Sequence, residues 1–235
     1  MSAETESVLH FEAVDLLQTR SADSALREVE LRVGPGELAL IQVRRGLLEI
    51  PLGDAVCGMM RPDKGVVRFD GLDWTAMSPR EAQRKRHDIG RFHGDAPWIS
   101  NLNIDENILL GECHHTRRDE AEILAEALAL AARFGLEEIT SKRPHLISQR
   151  LSAVYQLVRA FLGKPKLIYL ERPMRGVVSE FSEVLIELLG EYRAEGGAVV
   201  WISSEQDVLD STALNATSRY AVEPPHLRAQ ENTRA

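Results

Sequence analysis

Cysteine is scarce: Cys57 and Cys113 are the only two in 235 residues. Two thiols cannot staple a domain of this length, so the fold must rest on a hydrophobic core. Long apolar runs are also missing. No uncharged stretch nears the ~20 residues that cross a bilayer as a helix. The first seven residues are polar and acidic, without the basic-then-apolar order of a secretory signal. Nor is there a basic excess: 28 Lys and Arg stand against 36 Asp and Glu, a net charge of -8. That sign gives no general attraction for nucleic acid or anionic lipid. The expectation is a cytoplasmic chain with no transmembrane segment of its own and no nucleic-acid role. It would lie peripherally on an inner membrane only through a partner.

Short apolar runs alternate with helical patterns along the chain. Residues 8–14 and 26–33 read as strands. Gly34-Pro35-Gly36 turns the chain into an apolar run over 38–43 that fits a strand buried on both faces. A helical pattern over 54–60 is broken by Arg61-Pro62-Asp63-Lys64-Gly65, and 66–69 form a strand that turns at Asp70-Gly71. Ser78-Pro79-Arg80-Glu81 has the order of a helix start. A short strand follows over 89–92, and helical periodicity then runs over 104–134 and 151–162. The apolar run 167–170 ends in Glu171-Arg172; a helix over 181–193, a break at Gly196-Gly197 and a buried strand over 198–203 come next. The spacing predicts a last strand over 217–222. Residues 223–235, with two prolines and few apolar side chains, read as a disordered tail. Strands alternating with helices imply a mostly parallel sheet covered on both faces. The chain then divides into one domain over 1–222, with a helical subdomain at about 100–160, and the tail.

Several segments carry a resemblance to a known family. Gly34-Pro35-Gly36-Glu37 precedes an apolar strand. Gly58-Met59-Met60-Arg61-Pro62-Asp63-Lys64-Gly65 and Phe69-Asp70-Gly71 follow it, then Ile99-Ser100-Asn101-Leu102-Asn103-Ile104-Asp105-Glu106-Asn107. Val158-Arg159-Ala160-Phe161-Leu162-Gly163-Lys164-Pro165-Lys166-Leu167 comes last. In this order and at these spacings the chain resembles the ATP-binding subunits of ABC transporters, from residue 8 to about 222. The resemblance implies an α/β fold of the P-loop NTPase type. It adds an antiparallel β subdomain and a helical insert to the parallel core.

The chemical positions depart from that family. Its phosphate loop, G-x-x-x-x-G-K-[ST], wraps backbone N–H groups around phosphates, with a Lys to neutralise them and a hydroxyl for magnesium. By resemblance the loop falls on Val43-Arg44-Arg45-Gly46-Leu47-Leu48-Glu49-Ile50. Val43 and Leu48 replace the two motif glycines, Glu49 the Lys and Ile50 the hydroxyl. A charge pair at about 4 Å contributes about 4 kcal/mol at an effective dielectric near 20, so exchanging Lys for Glu is a swing of roughly twice that. The Q-loop glutamine falls on Gly94, and the signature on Ile147-Ser148-Gln149-Arg150-Leu151. Glu171 stands at the magnesium-holding acid. Arg172 stands at the catalytic Glu and, always protonated, cannot act as a base. Glu205 replaces the switch His. The D-loop falls on Arg175-Gly176-Val177-Val178 without an Asp, and Gln18-Thr19 offer no aromatic for adenine.

The resemblance therefore implies a degraded site: a cassette without its own hydrolysis, no cofactor, and partners among a membrane subunit or a homologous cassette. Weak binding of ATP and magnesium stays open, because Arg44 and Arg45 share the loop. So do two rivals, an active subunit with a hybrid site around Glu171 and a soluble regulatory scaffold. Glu49 and Arg172 are expected to pair inside the emptied site. Trp98 either faces a membrane subunit in a partner groove or packs in the core. The stretch 98–107 also resembles cassettes of lipid-import systems for outer-membrane asymmetry. Two further motifs have no place in that scheme. Cys113-His114-His115 lacks a second ligand pair for a metal and reads as polar helix surface. Arg84-Lys85-Arg86-His87 reads as a solvated helix end.

Overall fold

The computed structural model describes residues 7–17, 25–47, 50–93, 97–173 and 180–230. Its strands are β1 (Leu9–Leu16), β2 (Leu26–Val33), β3 (Leu38–Gln42), β4 (Lys64–Phe69), β5 (Leu72–Asp73), β6 (Ile89–Phe92), β7 (Leu167–Glu171), β8 (Ala198–Ser203), β9 (Ser218–Glu223) and β10 (His226–Gln230). They form one sheet in the order β5-β4-β1-β2-β10-β9-β3-β8-β7-β6. Strands β9, β3, β8, β7 and β6 run parallel to one another, whereas β1, β2, β4 and β5 pair antiparallel.

The parallel strands are buried on both faces because each carries apolar residues in both registers. Ala198, Val200 and Ile202 of β8 enter one core with Leu167 and Tyr169 of β7 and the inner faces of β1 and β2. Val199 and Trp201 enter a second core on the opposite face. Each fully buried Leu or Ile in these layers contributes roughly 1.5–3 kcal/mol. The first core is closed by α1 (Leu52–Val56). The second is covered by α3 (Ile104–His115), α4 (Glu120–Arg133), α5 (Gln149–Phe161) and α6 (Glu180–Ala194). Helices α2 (Pro79–Arg86) and α7 (Gln206–Leu209) complete the described α-helices.

Local signals place several elements directly. Asp70 and Gly71, both at positive φ (53° and 74°), make the tight turn between β4 and β5. The Ser78 hydroxyl accepts from the Glu81 backbone N–H while the Glu81 carboxylate accepts from the Ser78 backbone N–H, a complete capping box for α2. Asp70 also accepts from Lys85 (2.5 Å) and Lys166 (2.7 Å), tying the hairpin to α2 and to the start of β7. Burial opposes ionisation of Asp70, but the two lysines outweigh it and hold its carboxyl below the usual carboxylate range.

Three expectations change. Residues 223–235 are not a tail throughout: 226–230 form β10, antiparallel to β9 and bridged to β2 at His226↔Arg27, with Leu227 turned into the core. Only one residue of that strand is inward and apolar, so composition carries no sign of it. The last five residues of the anticipated tail lie outside the described residues. The helical pattern over 104–134 is two helices, because Asp119 accepts from the Ala121 N–H and starts α4 afresh. The helix expected over 54–60 is α1 and stops at Val56, since the chain turns at Gly58 (φ 59°), where a Cβ would meet the Trp74 ring at 2.4 Å.

Candidate functional site

The C-terminal ends of β3, β8 and β7 lie side by side, with Gln42 opposite Ser203 and Glu171 opposite Ile202. The end of a parallel sheet is where α/β folds place their ligands. Here it gathers residues 43–47, Glu171-Arg172 and Ser203–Glu205.

In the loop, the Val43 N–H donates to the Ser203 carbonyl (2.9 Å) and the Leu47 N–H to the Arg44 carbonyl (3.3 Å). Gly46, at φ 91°, allows that tight turn. Val43, Leu47 and Ile50 are buried in the first core, whereas Arg44 and Arg45 are exposed. Leu48 and Glu49 lie outside the described residues, so the expected Glu49–Arg172 pair lies there too. What the described atoms show is that Arg172 reaches this loop: its guanidinium donates to the Leu47 carbonyl. Arg172 is buried and left-handed (φ 50°), and its own N–H donates to the Ile202 carbonyl (2.9 Å). Its Nε has no hydrogen-bond partner among the described residues.

Glu171 is buried beside it. Burial, helped by Asp54, raises its carboxyl above the usual range, and His93, Arg91 and Arg172 pull it back only in part. A raised folded pKa means that ionisation of Glu171 costs stability. The cost is absent below the pKa of the unfolded chain and grows as pH rises through the folded value. Glu171→Gln should therefore raise the denaturation midpoint near pH 8 and have no such effect near pH 4. Chemical denaturation of both proteins across that range is the check; a gain at acid pH alone would contradict it.

Glu205 folds back on its own turn. Its carboxylate accepts from the Ser203 hydroxyl (2.8 Å) and from the backbone and hydroxyl of Ser204 (3.1 and 3.0 Å). Burial pushes its pKa up, but these hydrogen bonds outweigh burial and leave it lowered.

The signature positions stand at the start of α5. Ser148 caps the helix, accepting from the Leu151 N–H (3.3 Å). Gln149 is exposed, Ile147 and Leu151 are half-buried against the second core, and the Arg150 guanidinium lies 4.9 Å from the Phe181 ring of α6. Gly94, the 175–178 stretch and Gln18-Thr19 lie outside the described residues. Trp98 is half-buried: its indole N–H donates to Ser152 (2.8 Å), Arg159 sits 4.4 Å over its ring, and its neighbour Ile99 is exposed.

One cluster carried no sequence signal beyond an Arg in a short strand. Arg91 of β6 donates to Asp54 of α1 (2.9 Å) and lies 5.7 Å over the Tyr169 ring. The backbone of α1 comes this close because Gly53 has no side chain; a Cβ there would sit 2.7 Å from Arg91 and 2.9 Å from Tyr169.

No protein-family model matches the chain. It is similar to the phosphonates import ATP-binding protein PhnC 2 of Synechococcus sp. (strain JA-2-3B'a(2-13)), 25% identical over 199 residues that cover 81% of this chain and 74% of that protein. It is also similar to the methionine import ATP-binding protein MetN of Cupriavidus pinatubonensis, 27% identical over 186 residues, 79% of this chain and 54% of that one. Its homologues are ABC-transporter ATP-binding subunits. The fold of an ABC cassette is equally plain. The dimeric, post-hydrolysis cassette MJ0796 bound to ADP and Pi superposes with a TM-score of 0.81 over 94% of this chain and 97% of that one, at 20% identity. CbiO1 from Clostridium perfringens, described as part of the ABC transporter complex cbiONQ, gives 0.73 over 94% and 87%, at 18% identity. Among the described residues no helix is long and apolar enough to cross a membrane.

Proposed function

We propose that this chain is an ABC cassette that no longer hydrolyses ATP and serves as a partner-binding subunit, docked on a membrane subunit or paired with an intact cassette at the cytoplasmic face. One observation carries the reading: a buried Arg172 guanidinium, standing where the family has its catalytic carboxylate, is bonded to the carbonyl of Leu47 inside the phosphate-loop position. The residues present do not fit magnesium triphosphate. Val43, Leu47 and Ile50 are core side chains, and Ile50 has no oxygen to offer a metal. The acid at the metal position, Glu171, is held toward its neutral form by burial. Phosphoryl transfer depends on placed charge, and the placed charge here is an internal Arg that cannot accept a proton.

The test is to mix the purified chain with magnesium and ATP and follow phosphate release and calorimetric binding. No turnover above the protein-free rate and no saturation at about 1 mM ATP are expected. Turnover abolished by Glu171→Gln would overturn the proposal and establish the hybrid site. Co-purification of the untagged membrane subunit or cassette with this chain supports the partner role; a chain recovered alone from its native membranes points to a soluble scaffold.

A further inference from the structure

Two stretches that the cassette positions leave unused, Arg84-Lys85-Arg86-His87 and Cys113-His114-His115, meet in space. Lys85, Arg86 and His87 are half-buried rather than solvated, and no metal-binding group of three ligands occurs among the described residues. The two stretches flank a cavity of about 310 Å³ beside edge strand β6, lined by Gly90 of that strand and by residues of α3 and α5. Its charged and titratable lining is Arg86, His87, Arg91, Glu112, His115 and Arg159.

The charges do not balance. Glu112, the one carboxylate, is already engaged by His87 Nε2 (2.6 Å) and Arg118 (3.2 Å). Arg91 is paired with Asp54. Among the described residues Arg86 donates to the backbone carbonyls of Cys57 and Gly58 (both 2.9 Å) and lies 5.8 Å from the Trp74 ring. Arg159 stacks on Trp98 and forms no ion pair among the described residues. Burial pulls its pKa down to about 10. The His115 ring packs against His87 and His114 at 5.2 and 4.8 Å. Burial first, then those two histidines, hold it toward the neutral form, in which one ring N–H remains to donate.

We propose that this cavity is an oxyanion site, whose ligand is a carboxylate or phosphate group bound by Arg159 and Arg86 with an N–H from His115. Guanidinium groups supply paired donors that match either oxyanion. The volume admits a small free anion or the end of an acidic side chain. The site is separate from the 43–50 loop and does not depend on the proposed loss of hydrolysis.

The experiment titrates inorganic phosphate, and separately succinate, into the purified chain. It follows the Arg159 Nε and His115 ring resonances by ¹H–¹⁵N NMR and affinity by calorimetry. Saturable shifts of both residues below about 10 mM are expected, with affinity weakened about tenfold or more in Arg159→Gln and unchanged in Arg228→Gln on β10. Saturation by phosphate alone identifies a phosphate ligand, and saturation by succinate a carboxylate. No shift with either anion, or saturation that leaves Arg159 and His115 unmoved, overturns the proposal even if Arg159→Gln does not fold. So does equal affinity in a folded Arg159→Gln.

Discussion

Gly90→Ala should lower the melting temperature by roughly 6–12 °C. Gly90 lies in β6, and a Cβ there would sit 1.8 Å from the Ala160 carbonyl oxygen and 2.8 Å from its carbon. Both are backbone atoms of α5, so no side chain can swing aside. The strand and the helix must separate instead. Overpacking costs about 1–3 kcal/mol where side chains yield, and a backbone clash belongs at or above the top of that range. At about 2–4 °C per kcal/mol for a chain of this length, the shift is easily read by calorimetry. Gly190→Ala is the contrast. Gly190 is exposed within α6 and nothing lies within 4 Å of its Cβ position, so Ala should stabilise by about 0.5–1 kcal/mol through helix propensity. A Gly90→Ala protein that melts like the parent would mean that β6 does not pack on α5 this closely.

The second large effect concerns Arg172. Arg172→Met keeps most of the side chain's length, leaves φ unchanged and removes the donor to Leu47. A hydrogen bond from a charged group contributes about 1.5–3 kcal/mol, partly offset because an Nε without a partner among the described residues is removed with it. A net loss of about 1–2 kcal/mol is expected. The sharper readout is local: amide hydrogen exchange at Leu47, whose N–H closes the turn onto Arg44, should quicken while β3 and β8 stay protected. The Glu171 carboxyl should rise further, since Arg172 is one of the charges pulling it down. Unchanged exchange at 44–47 would show that the Arg172 contact does not hold the loop. On the proposed assignment of Glu49 and Ile50 to the Lys and hydroxyl positions, Arg172→Met gives no ATP turnover.

The identity of a side chain settles what it cannot do, and that much is legible in the sequence. Arg172 cannot be a base and Ile50 cannot bind a metal, wherever they lie. What they do instead was not legible. Pairing of Arg172 with Glu49, the expectation from opposite charge, lies outside the described residues. The described contact runs to a carbonyl 125 positions away in sequence, and it depends on a left-handed backbone that nothing in Glu171-Arg172-Pro173 announces. The oxyanion cavity was hidden for the same reason. Arg86, His87 and His115 looked like parts of two surface runs until β6, α3 and α5 brought them to one hollow with Arg91 and Arg159.

By itself, the sequence determined what depends on neighbours along the chain: the apolar runs of β3, β7 and β8, the Asp70-Gly71 turn and the Ser78–Glu81 cap. Each follows from the chemistry of a few adjacent residues. Tertiary structure alone decided that Arg172 reaches Leu47, why 226–230 is a strand, and which cations lack a counter-charge among the described residues. Hydrogen bonding and charge balance depend on which groups the fold brings within a few ångströms of one another, and distance along the chain carries no record of that.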